Sequence, residues 1–61
     1  MINKKELILD VLKEHDKLST TAISNIIVAN QGRTLKLLLD LMEEKKVRMI
    51  KETYVTFWRL R

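Results

Sequence analysis

The feature that most constrains this chain is the order of its hydrophobic periods between residues 19 and 60. Two stretches with a helical period, joined by Asn-Gln-Gly at 30–32, precede two short runs typical of strands, at 47–50 and 54–60. This order predicts a helix, a turn, a second helix and a β-hairpin. Such an arrangement exposes the start of the helix that follows the turn, together with the tip of the hairpin.

The inventory of reactive side chains argues against catalysis. The chain has 61 residues, one histidine, one glycine and no cysteine, so disulfides and thiolate zinc sites are excluded. We expect a single domain over residues 1–61, which buries only about 60% of its unfolded surface and leaves little room for a deep cleft. His15, beside Asp16 at a helix end, should be solvated. We therefore expect no enzyme, no metal and no cofactor.

Positive charge is concentrated in two segments. The net charge is +4. Residues 17–39 carry +3 and residues 45–61 carry +5, whereas 40–44 carry −3. A basic balance suits nucleic acid or an anionic membrane surface. No pattern indicates a site for a small-molecule effector.

The N-terminal segment lacks the pattern of a targeting signal. Charged residues from Lys4 to Glu14 interrupt its apolar residues, and no apolar run approaches the roughly 20 residues of a membrane span. We therefore expect a soluble, cytoplasmic protein with no membrane partner.

The first helix is predicted over about 4–14, because Asn3 and Glu6 have the spacing of a capping box. Its apolar stripe consists of Leu7, Ile8, Val11 and Leu12. Leu18, an isolated apolar residue, suits a short third strand that could pair with the hairpin.

The second helix should be capped by Ser19 or Thr20. The residues predicted to face inward are Ala22, Ile23, Ile26 and Ile27. We expect this helix to end at Asn30 in the left-handed conformation, and Gly32 to give the permissive backbone of the following connection.

The third helix is predicted over about 31–46. Its expected buried stripe is Leu35, Leu38, Leu39 and Met42, and its opposite face is Arg33, Leu37, Asp40 and Glu44. In the last strand we favour Trp58 and Leu60 as the inward residues, with Val55 and Phe57 as the competing set.

Geometry and charge together favour double-stranded DNA as the partner. A helix of this length can enter a major groove about 12 Å wide and present its first half to base edges. The predicted base contacts are Gln31, Arg33, Thr34, Lys36 and Leu37. The predicted contacts to the DNA backbone are Ser19, Thr20, Thr21, Asn25, Arg48, Lys51 and Thr53, with the wing at 48–53 on the backbone or in the minor groove.

The chain resembles the winged helix-turn-helix domains of small transcription regulators, such as the multiple-antibiotic-resistance and arsenical-resistance repressor families. The resemblance lies in the sequences LSTTAI at 18–23, RTL at 33–35, LDLMEEKKV at 39–47 and FWRL at 57–60. It implies an α+β, mostly α fold, with three helices followed by a short two-stranded antiparallel wing. Those families usually place glycine where this chain has Lys46.

The chain is also similar to the Z-DNA-binding Z-alpha domain, through its Thr-Thr-Ala at 20–22 and through Trp58 in the last strand. It departs from that family at Lys36 and Asp40, where the family has Asn and Tyr, and in lacking the paired prolines of the wing. Left-handed DNA recognition is therefore not carried over. The dimerisation helices of many such repressors also have no counterpart, so we expect a minimal module.

Two alternatives concern the pair Leu37 and Leu41, which the predicted buried stripe does not explain. The pair could anchor a winged-helix protein-protein interaction module, in which the basic residues only provide solubility. It could also form part of a homodimer contact. The main hypothesis remains a sequence-specific DNA-binding transcription regulator.

Overall fold

A computed structural model describes residues 3–61, which form three helices and a three-stranded antiparallel sheet. The helices are α1 (Lys4–Glu14), α2 (Thr20–Ile27) and α3 (Gln31–Glu43), and the strands are β1 (Leu18–Ser19), β2 (Val47–Lys51) and β3 (Thr56–Leu60). The predicted α+β fold, with a hairpin after three helices and a short strand at Leu18, is confirmed. Within the described range, no helix has both the length and the apolar character needed to cross a membrane.

The sheet packs one face against the helices. Its strand order is β1-β3-β2, so that Trp58 of β3 lies between Leu18 of β1 and Met49 of β2. Trp58 is fully buried and Leu60 packs against the core. The interpretation that Trp58 and Leu60 face inward is therefore confirmed.

The core joins all three helices to the sheet. Its buried apolar residues are Ile8, Leu12, Ile23, Ile27, Leu38, Leu41, Val47 and Trp58. Full burial of each large aliphatic side chain contributes roughly 1.5–3 kcal/mol. The indole of Trp58 also donates through Nε1 to Thr20 Oγ1 at 2.8 Å, so its one polar atom is satisfied inside the core.

Each helix begins at a polar side chain that accepts a hydrogen bond from a free backbone amide. Asn3 accepts from Lys5 N at 2.8 Å, Ser19 from Ala22 N at 3.1 Å and Asn30 from Arg33 N at 2.7 Å. The caps predicted at Asn3 and Ser19 are confirmed.

The predicted end of α2 is wrong. Its left-handed residue is Val28, with φ of 55°, and Asn30 is instead extended and caps α3. Gly32 lies inside the first turn of α3 and has no positive φ, so it does not supply the connection. Lys4 completes the end of α2, since its Nζ donates to Ile27 O at 2.8 Å.

Helix α3 ends at Glu43, earlier than predicted. Lys45 is left-handed, with φ of 63°. Lys46 N donates to Leu41 O and Lys45 N donates to Met42 O, which is the hydrogen-bond pattern of a Schellman motif. The permissive conformation that the resemblance assigns to the position of Lys46 therefore falls on Lys45.

The predicted buried stripe of α3 is confirmed at Leu38 and Met42 and wrong at Leu35 and Leu39, because the helix is rotated about its axis from the expected orientation. Leu35 and Leu39 are 41% and 42% exposed, whereas Leu41 is 1% exposed. The residues that close the core are Thr34, Leu38 and Leu41. A similar exchange occurs on α2, where Ser24 is buried in place of Ile26 and its hydroxyl donates to Thr21 O.

Candidate nucleic-acid interface

The first two turns of α3 present a basic surface to solvent. Gln31, Gly32, Arg33 and Lys36 are all exposed there. Within residues 3–61, neither Arg33 nor Lys36 forms an ion pair. Their charges are therefore available to an anionic partner. Three of the predicted base contacts, Gln31, Arg33 and Lys36, are thus exposed on α3. Arg33 and Lys36 line one groove with Asp40, whereas Gln31 lines another groove with Leu35, at the opposite edge of the exposed face.

The other two predicted base contacts do not share this exposure. Thr34 is 0% exposed, and its Oγ1 has no hydrogen-bond partner among the described residues. Its assignment to base edges is wrong, because the side chain is buried on the core side of α3. Leu37 is half-buried and packs against the core cluster.

Apolar side chains that the sequence prediction had placed inside lie on the accessible side of α3. Leu35 lines a groove between α3 and the sheet, together with Gly32 and Met49. Leu39 follows Leu35 one turn later and is equally exposed. The spacing of Gly32, Lys36, Leu39 and Glu43 could have indicated this face, because these residues form one helical stripe.

A side-chain hydrogen bond joins the start of α2 to the start of α3. Gln31 Nε2 donates to Thr21 Oγ1 at 3.0 Å. Ser19 Oγ and Thr20 Oγ1 each accept one hydrogen bond, from Ala22 N and from the Trp58 indole, and each hydroxyl can still donate its own hydrogen. The fourth polar residue predicted here, Asn25, is exposed farther along α2.

The hairpin tip lies beside the start of α2. Glu52 N donates to Val55 O at 2.9 Å and closes the turn, where Thr53 is exposed. Tyr54 is 94% exposed and lines a shallow groove with the hydroxyl residues at 19–21. The sequence prediction assigned Tyr54 to a strand because aromatic residues favour strands; its polar neighbours at 51–53 were the signal for a turn.

The two basic residues predicted for the wing face opposite ways. Side chains alternate along a strand, so Lys51 lies on the same face of β2 as Val47 and Met49, which contact the core and α3. Arg48 lies on the other face and pairs in register with Arg59, at the end of the hairpin remote from its tip. The prediction that Arg48 flanks the tip is therefore wrong.

Ion pairs hold the elements around this surface. Lys17 pairs with Glu52 and thereby joins the tip of the hairpin to the segment before β1. Lys5 donates to Glu44 at 2.7 Å, which joins α1 to the end of α3. This hydrogen bond lowers the pKa of Glu44 and raises that of Lys5. Glu44 is thus engaged with α1, whereas Asp40, also within the described range, lines the groove of Arg33 and Lys36 without forming an ion pair with either.

Together these elements define a winged helix-turn-helix fold. Helices α2 and α3 and their connection form the helix-turn-helix, and β2 and β3 form the wing.

Solved structures of two bacterial regulators match this fold. The adhesin competence repressor AdcR from Streptococcus pyogenes superposes with a TM-score of 0.89 at 23% sequence identity, covering 100% of this chain and 47% of AdcR. ZitR from Lactococcus lactis, as a cysteine-to-serine mutant in complex with DNA, gives a TM-score of 0.89 at 22% identity and covers 100% of this chain and 43% of ZitR. ZitR is a zinc-responsive member of the MarR family.

A third match has nearly the length of this chain. The Zalpha domain of PKZ from Carassius auratus, in complex with Z-DNA, gives a TM-score of 0.86 at 21% identity and covers 95% of this chain and 92% of that domain. No family model matches the sequence, and no curated protein is significantly similar to it. The chain spans less than half the length of AdcR and ZitR, and at these identities the matches establish the fold alone.

Proposed function

We propose that this chain is a sequence-specific double-stranded DNA-binding protein, a small transcription regulator that works in the cytoplasm. The observation that carries the proposal is the pair of exposed cations Arg33 and Lys36, on the first two turns of α3, without acidic partners among residues 3–61. In this fold the first half of such a helix can enter the major groove. The structures of ZitR and of the Zalpha domain, both in complex with DNA, support the same proposal.

Base contacts would come from the exposed face of α3, with Gln31 at one edge and Arg33 at the other. Arg33 would donate to the two acceptors of guanine, and Gln31 would pair with adenine. Lys36 would reach a guanine or a phosphate. The exposed leucines at 35 and 39 take the role first predicted for Leu37, which is contact with thymine methyl groups.

Phosphate contacts would come from the start of α2 and from the wing. The hydroxyls at 19–21 would donate to phosphate oxygens and fix the position of the protein on the duplex. Lys51, Thr53 and Tyr54 would meet the flanking backbone or the minor groove. Asn25 is a more peripheral contact on the same helix.

A matched pair of double substitutions tests the proposal. Arg33→Ala with Lys36→Ala should weaken specific binding by about 1–3 kcal/mol for each base-specific interaction removed, and should lower its salt dependence. Arg48→Ala with Arg59→Ala removes the same charge from the opposite side of the sheet and should leave binding nearly unchanged. Mobility-shift titrations at fixed salt, on a site selected from a random duplex pool, measure both. Equal losses of affinity in the two variants would indicate attraction by net charge alone, and no loss in the first would refute the α3 assignment.

The alternative of a protein-interaction module built on Leu37 and Leu41 is not supported. Leu41 is buried in the core, and Leu37 packs against it. A homodimer remains a prediction, motivated by the small contact area of one module on DNA, roughly 600–1,000 Å². Sedimentation with and without the selected duplex tests it, and a monomer under both conditions would remove it.

A further inference from the structure

The face of the sheet opposite the helices carries a group of basic residues outside the proposed DNA interface. Because Val47 and Trp58 face the core, the residues next to them along each strand face outward. We define the outer sheet face as Lys46, Arg48 and Ile50 on one side of the hairpin and Phe57, Arg59 and Arg61 on the other.

Like charges lie directly opposite each other on this face. Arg48 is the register partner of Arg59, and Arg61 N donates to Lys46 O at 3.2 Å, which continues the pairing by one more row. Directly opposed side chains have Cβ atoms about 4.5–5.5 Å apart, where like charges destabilise a sheet. The hairpin therefore holds these cations together against their mutual repulsion.

Most of this charge is uncompensated. Lys46 Nζ pairs with the exposed Glu44 at 3.4 Å. Arg48, Arg59 and Arg61 form no ion pair within the described part of the chain. The three guanidinium groups keep their planar donor arrays free for an anion.

An apolar pair borders the cations towards the wing tip. Ile50 is the register partner of Phe57, and both side chains are half-buried. The Lys17 ammonium lies 4.5 Å from the centre of the Phe57 ring. The outer sheet face thus combines a basic end with an apolar end.

We propose that the outer sheet face binds an acidic, extended polypeptide segment of a partner protein, with its carboxylates on Arg48 and Arg59 and an apolar side chain on Ile50 and Phe57. Charge complementarity selects an anionic partner, and arginine binds carboxylates in a bidentate manner. Side chains on one face of an extended segment repeat every ~6.7 Å, which is also the spacing of rows along β2 and β3. The apolar end favours a polypeptide over a phosphate backbone, which has no apolar group to place there.

This surface is independent of the proposed DNA interface. Met49 and Lys51, on the α3 side of β2, alternate with Arg48 and Ile50 on the other side. A partner on the outer sheet face therefore leaves α3 free to bind DNA.

The test uses a short fluorescent peptide in which glutamate and leucine alternate at every second position, with serine between them, so that both share one face of the extended segment. The control peptide has glutamine in place of glutamate. Anisotropy titrations at low salt should show binding of the glutamate peptide alone. Arg48→Glu with Arg59→Glu should raise its dissociation constant about tenfold or more, as expected for the loss of charge-assisted hydrogen bonds. Arg33→Glu with Lys36→Glu changes the net charge by the same amount. It should change the dissociation constant of the peptide by less than about twofold, which is well under the ~1.4 kcal/mol of a tenfold change.

Three outcomes would overturn the proposal. Equal losses of peptide affinity in the two double variants would mean that the peptide is attracted by net charge alone. If the glutamate peptide does not bind, the outer sheet face is only a solvated basic surface. Loss of duplex binding in the variant at 48 and 59, without loss of peptide binding, would assign the face to nucleic acid. If the charge-reversed variant unfolds, Arg48→Gln with Arg59→Gln repeats the test, and amide shifts at 46–50 and 57–61 in the unmodified chain locate the peptide.

Discussion

The two faces of α3 place the same residue type in different environments. The inner face places Leu38 and Leu41 in the core, whereas the outer face exposes Leu35 and Leu39 beside Lys36. All four are leucines on one helix, so hydrophobicity alone does not separate them. What separates them is the direction in which α1, α2 and β2 cover the helix.

The largest expected effect contrasts one leucine from each face. Leu41→Ala should lower the free energy of unfolding by about 2–5 kcal/mol, because it leaves a cavity in the core. Leu39→Ala should change it by less than about 1 kcal/mol, as for other partly exposed positions. Urea unfolding measures both. Similar losses of stability in the two variants would mean that α3 does not bury Leu41 in preference to Leu39.

Substitution of the buried Thr34 tests the inner face of α3 at a polar residue. Thr34→Val keeps the shape of the side chain and removes a buried hydroxyl that has no partner among residues 3–61, so stability should rise by about 1 kcal/mol or more. Thr34→Ser keeps the hydroxyl and removes the methyl group, and should destabilise the protein. If valine instead destabilises the fold while weakening DNA binding, Thr34 would have the contact role first predicted for it.

The end of α3 provides the next contrast. Lys45→Gly should stabilise the protein by roughly 1 kcal/mol, because glycine adopts the left-handed conformation without steric strain. Lys46→Gly removes the same charge one residue later, where φ is not positive, and should not stabilise. Thermal unfolding of the two variants compares them. A gain of stability in the Lys46 variant alone would mean that the left-handed residue is Lys46, the position that the family resemblance suggested.

Much of the fold could be predicted because several local signals agree. The bounds of α1 match the prediction, since the Asn3 cap and a single apolar stripe indicate the same helix. The inward face of β3 followed from Trp58, whose large apolar surface favours burial. Ser19 marked the start of α2 because serine is preferred where its side chain can accept from a free amide of the first turn.

The parts that could not be predicted depend on contacts distant in sequence. Leucines at 35, 37, 38, 39 and 41 satisfy two different helical stripes, and only the surrounding elements choose between them. Left-handed backbone at Val28 and Lys45 has no marker in those side chains. In the candidate site, the exposure of Arg33 and Lys36 agreed with the prediction, but Thr34 did not, because the rotation of the helix decides which neighbour of Arg33 is buried.

The smallest effect concerns the ion pair that joins the C-terminal end of α3 to α1. The hydrogen bond from Lys5 holds the pKa of Glu44 below its ordinary value of 4.5. The resulting stabilisation is present above that value and is lost as pH falls through the lowered pKa of the folded state. Lys5→Gln should move the pKa of Glu44 back upwards, as followed by the carboxyl carbon shift in an NMR titration.

The control Lys13→Gln removes the exposed pair with Asp10 within α1 and should leave the Glu44 titration unchanged. If Lys5→Gln does not shift the titration, the contact does not persist in solution, and α3 is held by its buried face alone.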